Sequence, residues 1–232
     1  MIPETQMTFG FGIRPALGRA DFLVSECNRD AAVWVDRWPD WPPPARGLVI
    51  AGPPESGKSH LGAVWRARSG AADISASSLS VSAVPVALGE TSDALIDGLD
   101  VRASDEALFH LYNMVAERRG SILILTRVPP ARLAIELPDL ASRLATLPVV
   151  TIGVPDEALL AGVLSKHFAD RQVTVHEDVL AYLVPRMERS FEGARRLAVR
   201  LDALALAEGK PVTRRLARRA LDDEGTDSVS ED

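Results

Sequence analysis

One short stretch, Gly52-Pro53-Pro54-Glu55-Ser56-Gly57-Lys58-Ser59, constrains the chain more than any other. It fits G-x-x-x-x-G-K-[ST] at every fixed position, a pattern with geometric meaning only between a buried strand and a helix. Leu48-Val49-Ile50-Ala51 is an apolar run of strand length directly before it, and Lys58 to about Ser69 reads as a helix after it. In that setting the glycines let backbone N–H groups turn inward around phosphate oxygens, and the helix N-terminus adds favourable dipole charge. Lys58 is then expected to reach the β/γ-phosphates and the Ser59 hydroxyl to hold Mg²⁺. The expected nucleotide-binding residues are Gly52, Pro53, Pro54, Glu55, Ser56, Gly57, Lys58 and Ser59, with His60 directly after them.

The same alternation continues along the chain. Residues 1–20 are short on periodic pattern, and a helix from about Asn28 to Trp38 ends at Trp38-Pro39-Asp40-Trp41-Pro42-Pro43-Pro44, where the prolines cannot continue it. Ala72–Ala76 and Val84–Leu88 are weak strand candidates, and Ala94-Leu95-Ile96 is an apolar run ending in Asp97. Ser104 is expected to cap a helix to Arg119, with Leu108, Leu111, Tyr112 and Val115 on one face and Gly120 as its stop. Ile122–Leu125 and Val149–Ile152 read as buried strands. Continuous apolar strands between helices predict an α/β fold, a parallel five-stranded sheet sandwiched by helices. From Pro155 the pattern is helical only, over 156–170, 176–189, 190–208 and 212–222. The expected organisation is therefore an N-terminal segment 1–20, an α/β domain 21–153, a helical subdomain 154–222 and an acidic, disordered tail 223–232.

With 232 residues, 47% of them apolar, there is enough chain for a sizeable core. The net charge of −6 argues against broad non-specific DNA binding. The basic run Arg214-Arg215-Leu216-Ala217-Arg218-Arg219 reads as a solvated helix face, with contact to DNA as the other option. A single cysteine, Cys27, excludes an intrachain disulfide and a cysteine-rich zinc site, and favours the cytoplasm. The N-terminus lacks signal-peptide character, and no apolar run is long enough to span a membrane. The four histidines show no metal-ligand spacing.

A phosphate loop alone does not separate kinases, GTPases and other ATPases, so its companions matter. Asp97, ending an apolar strand, suits a carboxylate that holds Mg²⁺ through water, the alternative being a turn aspartate. Thr126 ends the Ile122–Leu125 strand, where a polar residue can sense a γ-phosphate or be an ordinary strand-end threonine. Arg143 and Arg195 each offer a fork suited to phosphate charge, and read on their own as solvated helix charges.

The phosphate loop, Asp97, the Ser121–Pro130 segment with Pro129-Pro130, and above all Glu136-Leu137-Pro138-Asp139-Leu140-Ala141-Ser142-Arg143-Leu144 resemble the DnaA branch of the AAA+ ATPases, most closely its Hda group of replication-initiation regulators. The resemblance runs from the N-terminus to about residue 222 and implies an AAA+ P-loop fold with a helical lid. It makes Arg143 the arginine finger that completes a neighbouring subunit's ATP site, Thr126 sensor 1 and Arg195 sensor 2. The Phe22–Asn28 segment looks like the family's adenine-side entry strand and loop. The chain ends soon after Asp222, so the helix-turn-helix domain of DnaA, and sequence-specific DNA binding with it, is not expected. Gln6-Met7-Thr8-Phe9-Gly10-Phe11 looks like the Q-x-x-[LM]-x-F sliding-clamp peptide, with Gln6 as polar anchor and Phe9 and Phe11 as apolar plugs. The partners implied are the DNA polymerase III β sliding clamp and DnaA; a homodimer stays open, as does the choice of ADP or ATP.

The chain departs from an active AAA+ enzyme at Gly98, where a second acid follows the metal aspartate; Asp100 lies farther along. Glycine cannot act as a base, so weak intrinsic hydrolysis is expected. The competing expectations are a self-sufficient ATPase of the helicase-loader or initiator type and a non-catalytic clamp and DnaA adaptor. A small-molecule kinase is disfavoured, because the helical subdomain carries no visible acceptor site.

Overall fold

Alternating side chains of short apolar strands must be covered on both sides, and the chain supplies helices to both. The computed structural model describes residues 18–43 and 46–227. In chain order the elements are α1 (Arg29–Arg37), β1 (Gly47–Ala51), α2 (Lys58–Ser69), β2 (Ala72–Ser75), α3 (Val84–Leu88), β3 (Ala94–Asp97), α4 (Asp105–Glu117), β4 (Ile122–Thr126), α5 (Pro138–Ala145), β5 (Val149–Thr151), α6 (Glu157–Asp170), α7 (Glu177–Leu183), α8 (Phe191–Glu208) and α9 (Arg214–Asp227).

The five strands are parallel, in the order β2-β3-β4-β1-β5. Leu48 and Ile50 of β1, with Leu123 and Leu125 of β4, pack with Ala31, Val35, Leu61 and Trp65 of α1 and α2. Val49, Ile122 and Ile124 turn the other way, toward Leu108, Leu111, Tyr112 and Val115 of α4 and Leu140 and Leu144 of α5. A period of two along each strand thus sorts one apolar run into two cores. The five-stranded α/β sheet agrees with the expectation.

The C-terminal helices close a third core, in which Leu160, Leu164 and Phe168 meet Leu183, Leu197, Leu201, Leu216 and Ala220. Leu159 and Phe191 belong instead to the α1–α2 side of the sheet. This helical subdomain is therefore seated on the sheet layer by its first and third helices.

Some boundaries differ from expectation. Val84–Leu88 is a helix, not a strand. Pro85 offers no N–H to a ladder but suits a first helical turn, and a five-residue apolar run has no decisive period. The helix expected over 176–189 stops at Leu183, two residues before Pro185. The last helix runs to Asp227, past the expected start of the acidic tail; acidic residues lower burial without forbidding helix. The Gln6, Phe9 and Phe11 peptide and residues 228–232 lie outside the described residues. In the basic run of α9, Arg214 pairs with Asp178, Arg218 with Asp222 and Arg219 with Glu208, which favours the solvated-face reading. Among the described residues no helix is long and apolar enough to cross a membrane.

Candidate nucleotide site

The phosphate loop is anchored at the strand end, where Gly52 N–H donates to Thr126 O at 3.1 Å. Glu55 and Gly57 take positive φ, 60° and 88°. A Cβ on Gly57 would stand 2.9 Å from the Phe22 ring, so glycine is required there twice over. Gly57 is also the N-cap of α2, and no side chain caps it. The first N–H groups of α2 are thus left to bind an anion, as a phosphate seat demands. Lys58 Nζ donates to Gly52 O at 2.8 Å, Pro53 O at 2.6 Å and Ser56 Oγ at 3.4 Å. Burial is the main reason its ammonium lies below its ordinary pKa; Asp97 and Asp100 pull it upward and Arg127 pushes it down.

Ser59 Oγ donates to Asp97 Oδ2 at 3.3 Å. The two sequence-predicted Mg²⁺ ligands are therefore neighbours. A hydroxyl and one carboxylate beside a phosphate seat suit a hard cation that keeps waters and phosphate oxygens as its other ligands. Among the described residues no cluster of three or more His, Cys, Asp or Glu could hold a metal by protein ligands alone. The residues present fit both a nucleotide and Mg²⁺.

Thr126 is buried, and its hydroxyl donates to Val128 O at 2.9 Å. Asp100, which lies farther along the chain than Gly98, reaches this strand end. Its Oδ1 accepts from Arg127 N–H at 3.0 Å and lies 3.4 Å from Thr126 Oγ1, and its Oδ2 is 3.4 Å from Arg127 Nε. The reason is Gly98, whose φ of 78° starts a tight turn over Leu99–Val101 that folds Asp100 back toward β4.

Beside the loop, a cavity of about 340 Å³ is lined by Phe22, Leu23, Leu159, Val163 and Phe191, with Lys166, His167 and Asp170 at its polar side. Its size and mixed lining suit a planar base. Residues 22–28 form its entry as a loop, not a strand. His60 also lines it; its Nε2 lies 2.9 Å from Gly18 O and its ring stands edge-on to Phe22. His167 Nε2 is buried without a hydrogen-bond partner. Burial pushes both imidazoles below their ordinary pKa.

Arg195, from α8, comes to the loop: its Nε is 3.1 Å from Glu55 Oε1. This is an ion pair by distance only, because the buried Nε–H is not aligned for a hydrogen bond. Arg143 is not brought to the phosphate loop. It sits on α5 in a separate cavity with Phe109, Tyr112, Asp139, Ser142 and Thr146, its guanidinium 5.9 Å and 5.5 Å from the Phe109 and Tyr112 ring centroids.

The fold has close relatives among solved structures. Domain III of the replication initiation protein DnaA of Thermotoga maritima superposes over 92% of this chain and 98% of its own, with a TM-score of 0.70 at 18% identity. The fold is that of DnaA domain III. The AMPPCP-bound DnaA of Aquifex aeolicus matches 80% of this chain and 65% of its own, with a TM-score of 0.60 at 20% identity. In sequence, the chromosomal replication initiator protein DnaA of Cutibacterium acnes is 29% identical over 123 residues. That stretch is 52% of this chain, and the match spans about a quarter of that DnaA's length, 24%. No protein-family model matches the chain.

Sequence reasoning missed Arg127, and it discounted Asp100. The signal for Arg127 was its position directly after a strand-end threonine, since strand C-termini face the ligand in open parallel sheets. His167 and Asp170 carried no motif; only the seating of the helical subdomain on the sheet makes them lining residues.

Proposed function

We propose that the chain is a DnaA-related, nucleotide-binding regulator of replication initiation that acts on its partner's ATP and not on its own. ADP or ATP sits against Gly52–His60, with Arg195 closing over it and Thr126 at the strand end. Ser59 and Asp97 hold Mg²⁺, which supplies charge neutralisation at the phosphates when bound. The observation that carries the reading is the placement of Arg143. It is exposed, stacked on two aromatic rings and set in a different cavity from its own phosphate loop, a placement suited to reaching a neighbouring subunit. A planar guanidinium held on aromatic faces is pre-organised to meet charge developing on a γ-phosphate.

In this reading the Gln6–Phe11 peptide docks on the DNA polymerase III β sliding clamp, DnaA is the protein acted on, and the compartment is the cytoplasm. The test is hydrolysis of DnaA-bound ATP with DNA-loaded clamp. Wild type should stimulate it, and Arg143→Ala should fold and bind nucleotide but lose stimulation, by about 10³-fold or more if it acts as arginine fingers do elsewhere. Full stimulation by Arg143→Ala would sink the proposal in favour of a clamp and DnaA adaptor. Deleting residues 1–12 should lose clamp binding alone.

One observation favours a second reading. Asp100 supplies an acid at the strand ends despite Gly98, as a self-sufficient ATPase would need. That reading requires turnover by the purified chain alone, abolished by Lys58→Ala.

A further inference from the structure

The phosphate-loop motif leaves the four positions between Gly52 and Gly57 free, and this chain places a glutamate at one of them. Glu55 is unfavourable there in two ways. Its φ of 60° is left-handed backbone, which glycine adopts freely and a glutamate does not. Its carboxylate also stands on a loop whose uncapped helix start and lysine suit an anion. The Lys58 ammonium feels the Glu55 charge, so the carboxylate lies within electrostatic reach of the phosphate seat. A strained residue of the wrong charge at a ligand site points to a task for that residue beyond binding the ligand.

Across the cavity, Glu55 Oε1 is 3.1 Å from Arg195 Nε, and each side chain is 40% exposed. Arg195 rides on a fixed helix. Ser190 caps α8 by accepting the Gly193 N–H at 2.9 Å. Phe191, four residues before Arg195 and on the same face, is buried on the α1–α2 side of the sheet. The guanidinium is therefore held at the loop itself. Its contact with Glu55 is loose, because the Nε–H is not aligned for a hydrogen bond. Among the described residues Arg195 has no other ion pair or hydrogen bond, so its remaining N–H donors are free.

We propose that the Glu55 carboxylate is a resident competitor of the nucleotide: it engages Arg195 until a polyphosphate seated on the loop displaces it, and so it sets how tightly this chain holds nucleotide. A phosphate group wins the exchange on charge and on geometry. Arginine can meet phosphate oxygens through two parallel N–H groups, whereas it meets Glu55 through an unaligned Nε. The released carboxylate is half-exposed, and water solvates it. Each binding event thus breaks one ion pair as it forms another. The site binds more weakly than its loop and lysine alone would, and it exchanges nucleotide more readily.

The inference rests on the nucleotide-binding reading above, and a double-mutant cycle makes the two fail differently. ADP with Mg²⁺ is titrated into the full chain and into Glu55→Gln, Arg195→Ala and the double variant, with thermal melts to verify folding. Glu55→Gln keeps the length of the side chain and removes its charge, so it should tighten ADP roughly 3–10-fold, the sum of a lost ion pair and a lost repulsion. Arg195→Ala should weaken ADP roughly 10-fold. In the Arg195→Ala background, Glu55→Gln should gain no more than about 2-fold, because the competing pair is already gone. An equal gain in both backgrounds reduces Glu55 to simple repulsion and overturns the exchange. Unchanged or weaker ADP binding by Glu55→Gln overturns it too, as does full affinity in Arg195→Ala. Wild type that does not bind ADP overturns the nucleotide reading itself, and this inference with it.

Discussion

Lys58 and Gly57 show how single residues of the loop divide their work between binding and folding. Lys58 Nζ donates to two carbonyls and a hydroxyl of its own loop, so its removal takes a donor from the buried Gly52 and Ser56. Lys58→Ala should fold with a slightly lower melting temperature and lose nucleotide affinity roughly 10–100-fold, the contribution of one or two hydrogen bonds to a charged group. A fluorescent-nucleotide titration checks this, and an unchanged Kd refutes it. Gly57→Ala should do the reverse first. It places a side chain at φ 88° and a Cβ 2.9 Å from Phe22, and left-handed backbone alone costs roughly 1–2 kcal/mol. A melting point lower by roughly 2–8 °C is expected without any ligand present.

At the scale of elements, α5 is tied to α4 by one carboxylate. Asp105, at the start of α4, pairs with Arg102, and its Oδ2 accepts the N–H groups of Glu136 at 2.7 Å and Leu137 at 3.1 Å, just before α5. Arg102 in turn donates to Ala134 O. The pair is 13% and 11% exposed, and removing one partner of a buried pair leaves the other uncompensated. Asp105→Ala should therefore cost about 3 kcal/mol, and it should weaken the stimulation proposed for Arg143 more than nucleotide binding, because α5 carries Arg143. Burial by itself would raise the Asp105 pKa. The hydrogen bond from Arg102 and those from Leu137 and Glu136 outweigh it and hold the carboxyl below 3.8. A folded pKa below the unfolded one means stability that is present above 3.8 and lost as pH falls beneath it. The stability gap between wild type and Asp105→Asn should stay constant from neutral pH down to that value and close below it in denaturant titrations.

For the whole molecule, the helical subdomain and the sheet meet across the cavity beside the phosphate loop through Leu159, Phe191 and the Glu55–Arg195 pair. A ligand bound between them stabilises only the folded state, by about 2.7 kcal/mol at 100 times its Kd. ADP should thus raise the melting temperature by roughly 5–11 °C, and Lys58→Ala should abolish most of that shift. The same cavity makes the fold acid-sensitive. Burial lowers the pKa of His60 and His167 below 6.5. Around His167, Arg171 and Arg195 push in the same direction while Glu55 and Asp170 oppose it. Around His60, Lys166 and Arg19 push down while the hydrogen bond to Gly18 and the Asp21 charge oppose it. Groups that take protons more readily when unfolded contribute stability above their unfolded pKa and lose it as pH falls. The melting temperature should therefore drop as pH falls beneath 6.5, with a shallower slope in His167→Gln; a flat profile there rules the coupling out.

The local patterns were legible without a structure. The apolar run Leu48–Ala51, the loop and helix after it and the capped periodicity of α4 are encoded by neighbours in the chain, since strand period, helix period and capping all act over a few residues. The motifs also named Ser59 and Asp97 as co-ligands, although β1 and β3 are not neighbours and β4 lies between them. What the sequence leaves open is anything that depends on how the strands are permuted and where the helical subdomain sits. The order β2-β3-β4-β1-β5 puts β3 beside β4, and the turn at Gly98 delivers Asp100 to Thr126 and Arg127. The seating of α6 and α8 delivers His167 to the cavity and Arg195 to Glu55. Packing of α5 on α4 turns Arg143 toward Phe109 and Tyr112, away from its own loop. Each of these contacts joins residues far apart in the chain, and only the packing of whole layers, driven by apolar burial, brings them together.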